Sequence, residues 1–348
     1  MPADPLDLCQ QLVAHGAVEG LQVAFVRGDH APTAACFGVA TLDSRFALAS
    51  LSKPIVAAAC LVAWEEGVLE LDAPLSEHLS EIDEGLTLRD VLSHASGLPA
   101  DDASARRVQL DPNASWNGVA AAYREVKPVV LPRTQRIYSN AGYALAADAL
   151  EQATGMDYRT YITESVLIPL GMQQTTFGVG VDDDANVLSV KEPGLLGHDQ
   201  QLFNGTRFRE LGLPQSGAFG TASDYLQLLQ MTLRQGRLSS DRHLLAPETA
   251  SLLSTNQGGS LPGGVGDFME WECCDWGAGF ELRADKSPHW TGTALSAAAF
   301  THFGASGTLA FADPATGTAA VILANRGTYT RWMLEPGGWP DICAALVA

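Results

Sequence analysis

The helix that follows Lys53 places the tightest constraint on the fold. Residues 46–67 read FALASLSKPIVAAACLVAWEEG, and from Ile55 to Val62 the run has no polar face. A helix apolar on most sides is stable only when other elements pack around it. It is therefore a central helix, and the chain must supply enough structure to enclose it. With 348 residues, 46% hydrophobic and 18% charged, the chain can build one large domain or two intimately joined ones. Lys53, at the head of this helix, belongs in water by its charge. Either it lies at an exposed end or it is there for chemistry.

The elements around that helix follow an order. GLQVAFVRGDHAPTAACFGVAT reads as two strands about a Gly-Asp-His-Ala-Pro turn, a hairpin that opens the fold. After the apolar helix, LTLRDVLSHASGLP and IYSNAGYALAADALEQATGMDYRTYITESVLIPLGM carry 3.6-residue periodicity, with Gly or Pro ending each unit. From GVGVDDDANVLSV, beginning at Gly178, to NGTRFRELGLPQSGAFG, glycines and acids predict long loops. Helix returns in TASDYLQLLQMTLRQGRL, with Thr221, Ser223 and Asp224 as candidate caps. GAGFELRAD and AAAFTHFGASGTLAFADPATGTAAVILANRG then read as strands, the last two joined at Asp313-Pro314-Ala315-Thr316-Gly317, and WPDICAALVA as a terminal helix. Strands at both ends with helices between predict an α/β (α+β) fold in which an antiparallel sheet is formed by both termini and flanked by helices. No repeat or low-complexity linker interrupts it, so a second domain would be a mostly helical insertion. The expected division is residues 1–66 and 245–348 for the sheet domain and 67–244 for the insertion, with the active site between them.

Charge and cysteine usage narrow the partners. Lys+Arg 21 against Asp+Glu 40 gives a formal net charge of −19, which repels phosphate backbones and anionic membranes. Neither nucleic acid nor a membrane is an expected partner. The N-terminus lacks a basic n-region and a continuous apolar h-region, and no later stretch reaches an uncharged span of about 20 residues. The expectation is a cytoplasmic protein, in which the sequons at Asn113 and Asn204 carry no meaning. Cys9, Cys36, Cys60, Cys273, Cys274 and Cys343 form no CxxC pair and read as small hydrophobes, the adjacent Cys273 and Cys274 being a poor redox device. The histidines show no HExxH or paired ligand spacing, so no metal and no other cofactor is expected. Nothing in the sequence fixes an oligomeric state.

Three short stretches carry candidate chemistry. Ser50 and Lys53 are three residues apart, so on a helix they share a face and can bring Oγ and Nζ together. A serine hydroxyl needs a base, and a lysine desolvated by an apolar helix has its pKa driven down toward neutrality. The alternative is a lysine snorkelling from a helix end. Only Lys53 among Lys53, Lys127, Lys191 and Lys286 has a serine three residues before it. Tyr138 and Asn140 stand at the head of a helix, where a phenol can relay a proton and an amide can bind a carbonyl; the alternative is an ordinary cap. His302 and Gly304 belong to a strand whose small residues permit a ligand to approach the backbone, or else to a Gly-rich turn with a surface histidine. No Gly-x-Ser-x-Gly elbow is present.

In this order the stretches resemble the serine β-lactamase and penicillin-binding-protein superfamily, most closely its class C-like branch, which includes the family VIII carboxylesterases. FALASLSKP is similar to its Ser-x-x-Lys motif, YSNAGYALAADALEQATG to its Tyr-x-Asn motif, and HFGASGT to its third, strand-borne motif. LTLRDVLSHASGLP, SGAFGTASDYLQLLQMTL, DWGAGFEL and LAFADPATGTAAVILANR match as well, so the resemblance covers nearly the whole chain from about residue 20. It implies an acyl-enzyme. Ser50 would attack an ester or amide carbonyl, Lys53 would take its proton, and Tyr138 would share that role and protonate the leaving group. Asn140 would bind the acyl side, backbone N–H groups of Ser50 and Ala305 would form the oxyanion hole, and His302 and Gly304 would line the pocket. Position 302 is histidine where β-lactamases and peptidases carry a lysine that holds a substrate carboxylate, which disfavours penicillins and D-Ala-D-Ala ends. HWTG at His289 imitates the third motif but lacks the hairpin that follows His302. The implied function is a serine hydrolase of small esters or amides. The alternatives are an acyltransferase with the same intermediate, a β-lactamase or D-Ala-D-Ala peptidase, or a silent binding protein. Trp271, Trp276, Trp290 and Trp332 are candidates for pocket walls or for core.

Overall fold

The two ends of the chain share one sheet. The structure, a computed structural model, describes residues 3–191, 203–266 and 268–348. Strands β1 (Gly20–Arg27) and β2 (Thr33–Gly38) come from the N-terminal hairpin, and β3 (Glu281–Leu282), β4 (Phe300–Gly304), β5 (Thr308–Asp313) and β6 (Thr318–Ala324) from the C-terminal part. Their order is β2-β1-β6-β5-β4-β3, and every neighbouring pair is antiparallel. β6 is central, in register Val23↔Ile322 and Phe311↔Ala320 with its two neighbours, and all of its residues are buried. That is why its sequence, TAAVILA, is continuously apolar rather than alternating.

The sheet and the site are framed by helices that include α1 (Pro5–Ala14), α2 (Ser52–Glu65), α3 (Leu88–Leu92), α4 (Asn140–Thr154), α5 (Ala222–Leu233) and α6 (Trp339–Val347). Leu21, Val23, Leu309, Phe311 and Ile322 pack on one side with Leu12 of α1 and Trp339, Ile342 and Leu346 of α6. Ala24, Val26, Ala310, Val321 and Leu323 face the other side, where α5 lies on the sheet. The period of two along each strand thus feeds two separate apolar layers. α2 lies deeper, packed against α4, and is buried from Ser52 to Ala63. The expected mixed fold, with an antiparallel sheet drawn from both ends, is the observed one.

Local details differ from expectation. α2 begins at Ser52, and Ser50 sits just ahead of it in a 3-10 turn, Ala49–Leu51. Pro54 lies in the first turn of α2, where a missing N–H costs nothing. GAGFELRAD contributes only the two-residue strand β3. The expected loop region holds a 3-10 segment, Val181–Asn186, and a short helix, Thr206–Leu211, while residues 192–202 lie outside the described residues. The Thr221 side chain does cap α5, accepting the Asp224 N–H at 3.2 Å. Among the described residues no helix is long and apolar enough to cross a membrane.

Candidate active site

Ser50 is held by its neighbours in a conformation that the turn alone would not choose. Ala49 has φ 47°, in the left-handed region that costs a residue with a side chain about 1–3 kcal/mol. The Ser52 hydroxyl donates to the Ala49 carbonyl at 2.7 Å and accepts the Ala218 N–H at 2.9 Å. From the end of β4, the Ser306 hydroxyl donates to the Ala47 carbonyl at 2.5 Å and the Thr308 hydroxyl to the Leu48 carbonyl at 3.1 Å. Ser50 is left partly exposed.

Lys53 is the most confined cation of the site. It is 0% exposed, and its Nζ lies 3.1 Å from Ser50 Oγ, 3.0 Å from Asn140 Oδ1 and 2.9 Å from the Gln215 carbonyl oxygen. Among the described residues its partners are a hydroxyl, an amide oxygen and a carbonyl oxygen rather than a carboxylate, and burial pulls its pKa well below the ordinary lysine value. A neutral amine has two N–H donors and one lone pair. Asn140 Oδ1 and the Gln215 carbonyl can only accept, so they take the two donors and leave the lone pair to the Ser50 hydroxyl. The arrangement can therefore remove a proton from Ser50.

Tyr138 and Asn140 reach the same point from the start of α4. The Tyr138 ring centroid is 4.8 Å from Lys53 Nζ. Burial raises the phenol's pKa, and a hydrogen bond with the Ser50 side chain lowers it only in part, so the resting group is a neutral phenol. It can pass a proton without carrying a charge. His302, on β4, is 2% exposed and its ring stands 6.0 Å from that of Tyr138. Its Nδ1 is 2.9 Å from the Phe303 carbonyl, so that nitrogen carries the proton of the neutral ring. Burial pushes its pKa down to about 3.

Ser50, Asn140 and Ala305 line a cavity of about 150 Å³ together with Gln215, Phe203 and Tyr329. The Asp101–Arg106 ion pair, at 2.9 Å, stands on the same wall. His302 packs near the Tyr138 ring and Gly304 lies against the Leu48 carbonyl, and neither is among the residues lining this cavity. The aromatic walls are Phe203 and Tyr329 rather than the tryptophans. Trp276 packs edge-on against His302 at 5.8 Å, Trp290 and Trp332 are core, and Trp271 lies over Lys286 at 4.8 Å. His289 is buried beside Glu281. Gln215 was not legible as a site residue, because it acts through a backbone carbonyl that any residue would supply.

A half-buried serine whose hydroxyl meets a fully buried lysine of lowered pKa and a neutral tyrosine, at the edge of an antiparallel sheet, defines the class of Ser-x-x-Lys proteins. The family described as Beta-lactamase matches residues 7–332, and the chain belongs to that family. It is 28% identical over 204 residues to the D-alanyl-D-alanine-carboxypeptidase/endopeptidase AmpH of Escherichia coli, a match covering 55% of this chain and 50% of that protein. The chain thus spans about half the length of that curated relative. A solved beta-lactamase from Mycobacterium bovis is 28% identical with TM-score 0.68, covering 97% of this chain and 98% of the other. EstCE1, described as a hydrolase with promiscuous acyltransferase activity, shares the fold at 21% identity and TM-score 0.78, covering 99% and 97%.

Proposed function

We propose that the protein is a serine hydrolase of small esters or amides that works through an acyl-enzyme on Ser50. The observation that carries this reading is the Lys53 amine, 0% exposed and 3.1 Å from Ser50 Oγ, with its two other partners both acceptors. Ser50 Oγ attacks the acyl carbonyl carbon as its proton passes to Lys53 Nζ. The Ser50 and Ala305 N–H groups take the oxyanion, Asn140 binds the acyl side, and Tyr138 delivers a proton to the departing alcohol or amine as the carbon–heteroatom bond breaks. Water then adds to the acyl-Ser50 carbonyl and releases the acid. The cavity of about 150 Å³ suits a small acyl group. In this reading the sheet portion, residues 1–66 and 245–348, and the helical portion, 67–244, meet at the site.

A peptidase reading, which the name of AmpH suggests, is less well supported. His302 is buried and uncharged at neutral pH, so it offers a substrate carboxylate no cation. EstCE1 favours a second reading, in which an alcohol instead of water receives the acyl group. We place the protein in the cytoplasm: all six cysteines are free thiols, and adjacent Cys273 and Cys274 are not bonded to each other, as suits a reducing compartment.

The test is intact-protein mass spectrometry after exposure to a fluorophosphonate, p-nitrophenyl butyrate and a cephalosporin, with Ser50→Ala as control. An adduct on the wild type alone, with rapid release from the ester and little reaction with the cephalosporin, supports the reading. No adduct from any reagent rejects it.

A further inference from the structure

His94 lies outside the set just described, yet it accepts from the backbone N–H groups of both residues that flank Tyr138. The Ile137 N–H donates to the His94 carbonyl at 3.0 Å, and the Ser139 N–H donates to His94 Nδ1 at 3.0 Å. Between these bonds the two rings pack at a tilt, with centroids 4.4 Å apart and planes 33° from parallel. One residue thus holds the backbone on either side of Tyr138 and lies against its ring. We propose that His94 is the positioning residue of Tyr138, setting the place of the phenol beside Ser50; this rests on the proton-transfer role assigned to Tyr138 above.

The surroundings show how His94 itself is fixed. It follows α3, whose first turn is locked by a capping box between Thr87 and Asp90. His94 has φ 59° and is 1% exposed, a conformation that a histidine holds only when its neighbours over-determine it. They do. The Arg136 guanidinium donates to the Ser93 carbonyl at 2.6 Å, the Tyr143 hydroxyl to the Leu92 carbonyl at 2.8 Å, and the Ser139 hydroxyl to the Pro99 carbonyl at 2.7 Å. Trp276 closes the far side of the ring edge-on at 4.9 Å. Residues 92–99 therefore form a template on which residues 136–143 are laid, and His94 is the contact point at Tyr138.

The ring chemistry agrees. Nδ1 can accept from Ser139 only if it carries no proton, which assigns the single proton of the ring to Nε2. An imidazolium would turn a second N–H against the Ser139 N–H. Burial holds the His94 pKa well below its ordinary value and keeps the ring neutral.

The prediction concerns leaving groups. p-Nitrophenolate departs without a proton, whereas an alkoxide needs one, so a displaced Tyr138 penalises ethyl butyrate more than p-nitrophenyl butyrate. The measurement is kcat/KM for both esters, which reports acylation, in wild type, Tyr138→Phe, His94→Phe, His94→Asn and His94→Gln. His94→Phe keeps an aromatic ring but removes the acceptor. His94→Asn offers Oδ1 near the place of Nδ1 and tolerates the left-handed conformation, while His94→Gln puts its amide near the place of Nε2. Tyr138→Phe should lower the ethyl to p-nitrophenyl ratio about 10²-fold. His94→Phe and His94→Gln should lower it about 10-fold or more, since misplacing a catalytic group by an ångström can cost about 10²-fold. His94→Asn should stay within about threefold of wild type, as the acceptor is restored. If Tyr138→Phe lowers the ratio and the soluble His94 variants do not, or if Asn and Gln behave alike, His94 positions nothing and the inference fails. If Tyr138→Phe itself leaves the ratio unchanged, the role given to Tyr138 is wrong, and the inference falls with it. Should His94→Phe not fold, the contrast between Asn and Gln alone decides.

Discussion

Gly304 and Leu48 meet at a point where no side chain fits. A Cβ on Gly304 would fall on the Leu48 carbonyl oxygen and on Thr308 Oγ1. The same Leu48 carbonyl accepts the Thr308 hydroxyl at 3.1 Å, so the end of β4 is set directly against the turn that carries Ser50. In the proposed mechanism the spacing between the Ser50 and Ala305 N–H groups, which would take the oxyanion, depends on this contact. Gly304→Ala should push the turn outward and lower kcat/KM about 10²-fold. Overpacking should also remove about 1–3 kcal/mol of stability. Ester kinetics and a thermal melt check both, and a variant that melts lower but keeps full kcat/KM would show that the contact does not set the catalytic spacing.

Lys53 makes the stability of the protein depend on pH in a particular direction. Its folded pKa lies well below the ordinary value because of burial. Between that folded pKa and the unfolded one of about 10.4, the unfolded chain holds a proton that the native state lacks, so stability rises with pH across the window. Lys53→Met removes this term but leaves Asn140 Oδ1 and the Gln215 carbonyl without their donor. The slope is therefore the diagnostic, not the absolute value. Urea unfolding between about pH 7 and about pH 9.5 should give a steeper rise for wild type than for Lys53→Met. Acylation of Ser50 by esters should fall about 10²- to 10⁴-fold in the variant. Equal slopes would mean that Lys53 is charged in the native state.

Much of this was legible in the sequence because the physics is local. The apolar run after Lys53 needed enclosure, Ser50 and Lys53 stood at helical spacing, and TAAVILA read as a strand after a hairpin turn. Tyr138 and Asn140 were legible as a helix head. What the sequence concealed is long-range. Gln215 meets Lys53 through its backbone, and nothing in its side-chain type reports that. His94 was visible only as part of LSHASGLP, since its partners, Ile137 and Ser139, lie more than forty residues further along. His302 was assigned to the pocket lining because the motif placed it near Ser50, but it is buried against Tyr138 and is not among the residues lining the cavity.

That burial decides how substrates are sorted by charge. His302, held down to about 3 by burial, is neutral throughout the usual working range. An imidazolium would favour a carboxylate-bearing ester below its pKa and lose that preference above it. With a neutral ring, the ratio of kcat/KM for p-nitrophenyl butyrate to that for mono-p-nitrophenyl glutarate should stay flat between about pH 5 and 8. A step near pH 6, with the glutarate gaining on the acid side, would show a charged histidine at the site and revive the carboxylate-anchoring reading.

Behind β4, Glu281 and Lys286 form an ion pair at 2.8 Å, each side chain 1% exposed. Glu281 is paired in register with Thr301, the residue before His302, so the ion pair supports the strand that carries the third motif. Lys286 also donates to the Asp275 carbonyl at 2.9 Å and lies over Trp271. Burial works to raise the Glu281 carboxyl, but Lys286 and His289 outweigh it and hold the pKa below the usual carboxylate value. A depressed carboxylate contributes stability above its unfolded pKa of about 4.3 and loses it as pH falls through the folded one. At neutral pH, Glu281→Gln leaves the Lys286 ammonium buried without a counter-charge and should cost about 3–5 kcal/mol. Lys286→Met strands the carboxylate in the same way. The double variant leaves no uncompensated charge, so it should be more stable than either single one. Urea unfolding of wild type, the two single variants and the double variant measures this coupling. If the two single effects simply add, the charges do not support each other, and the stability of this edge comes from the tryptophan packing around Lys286.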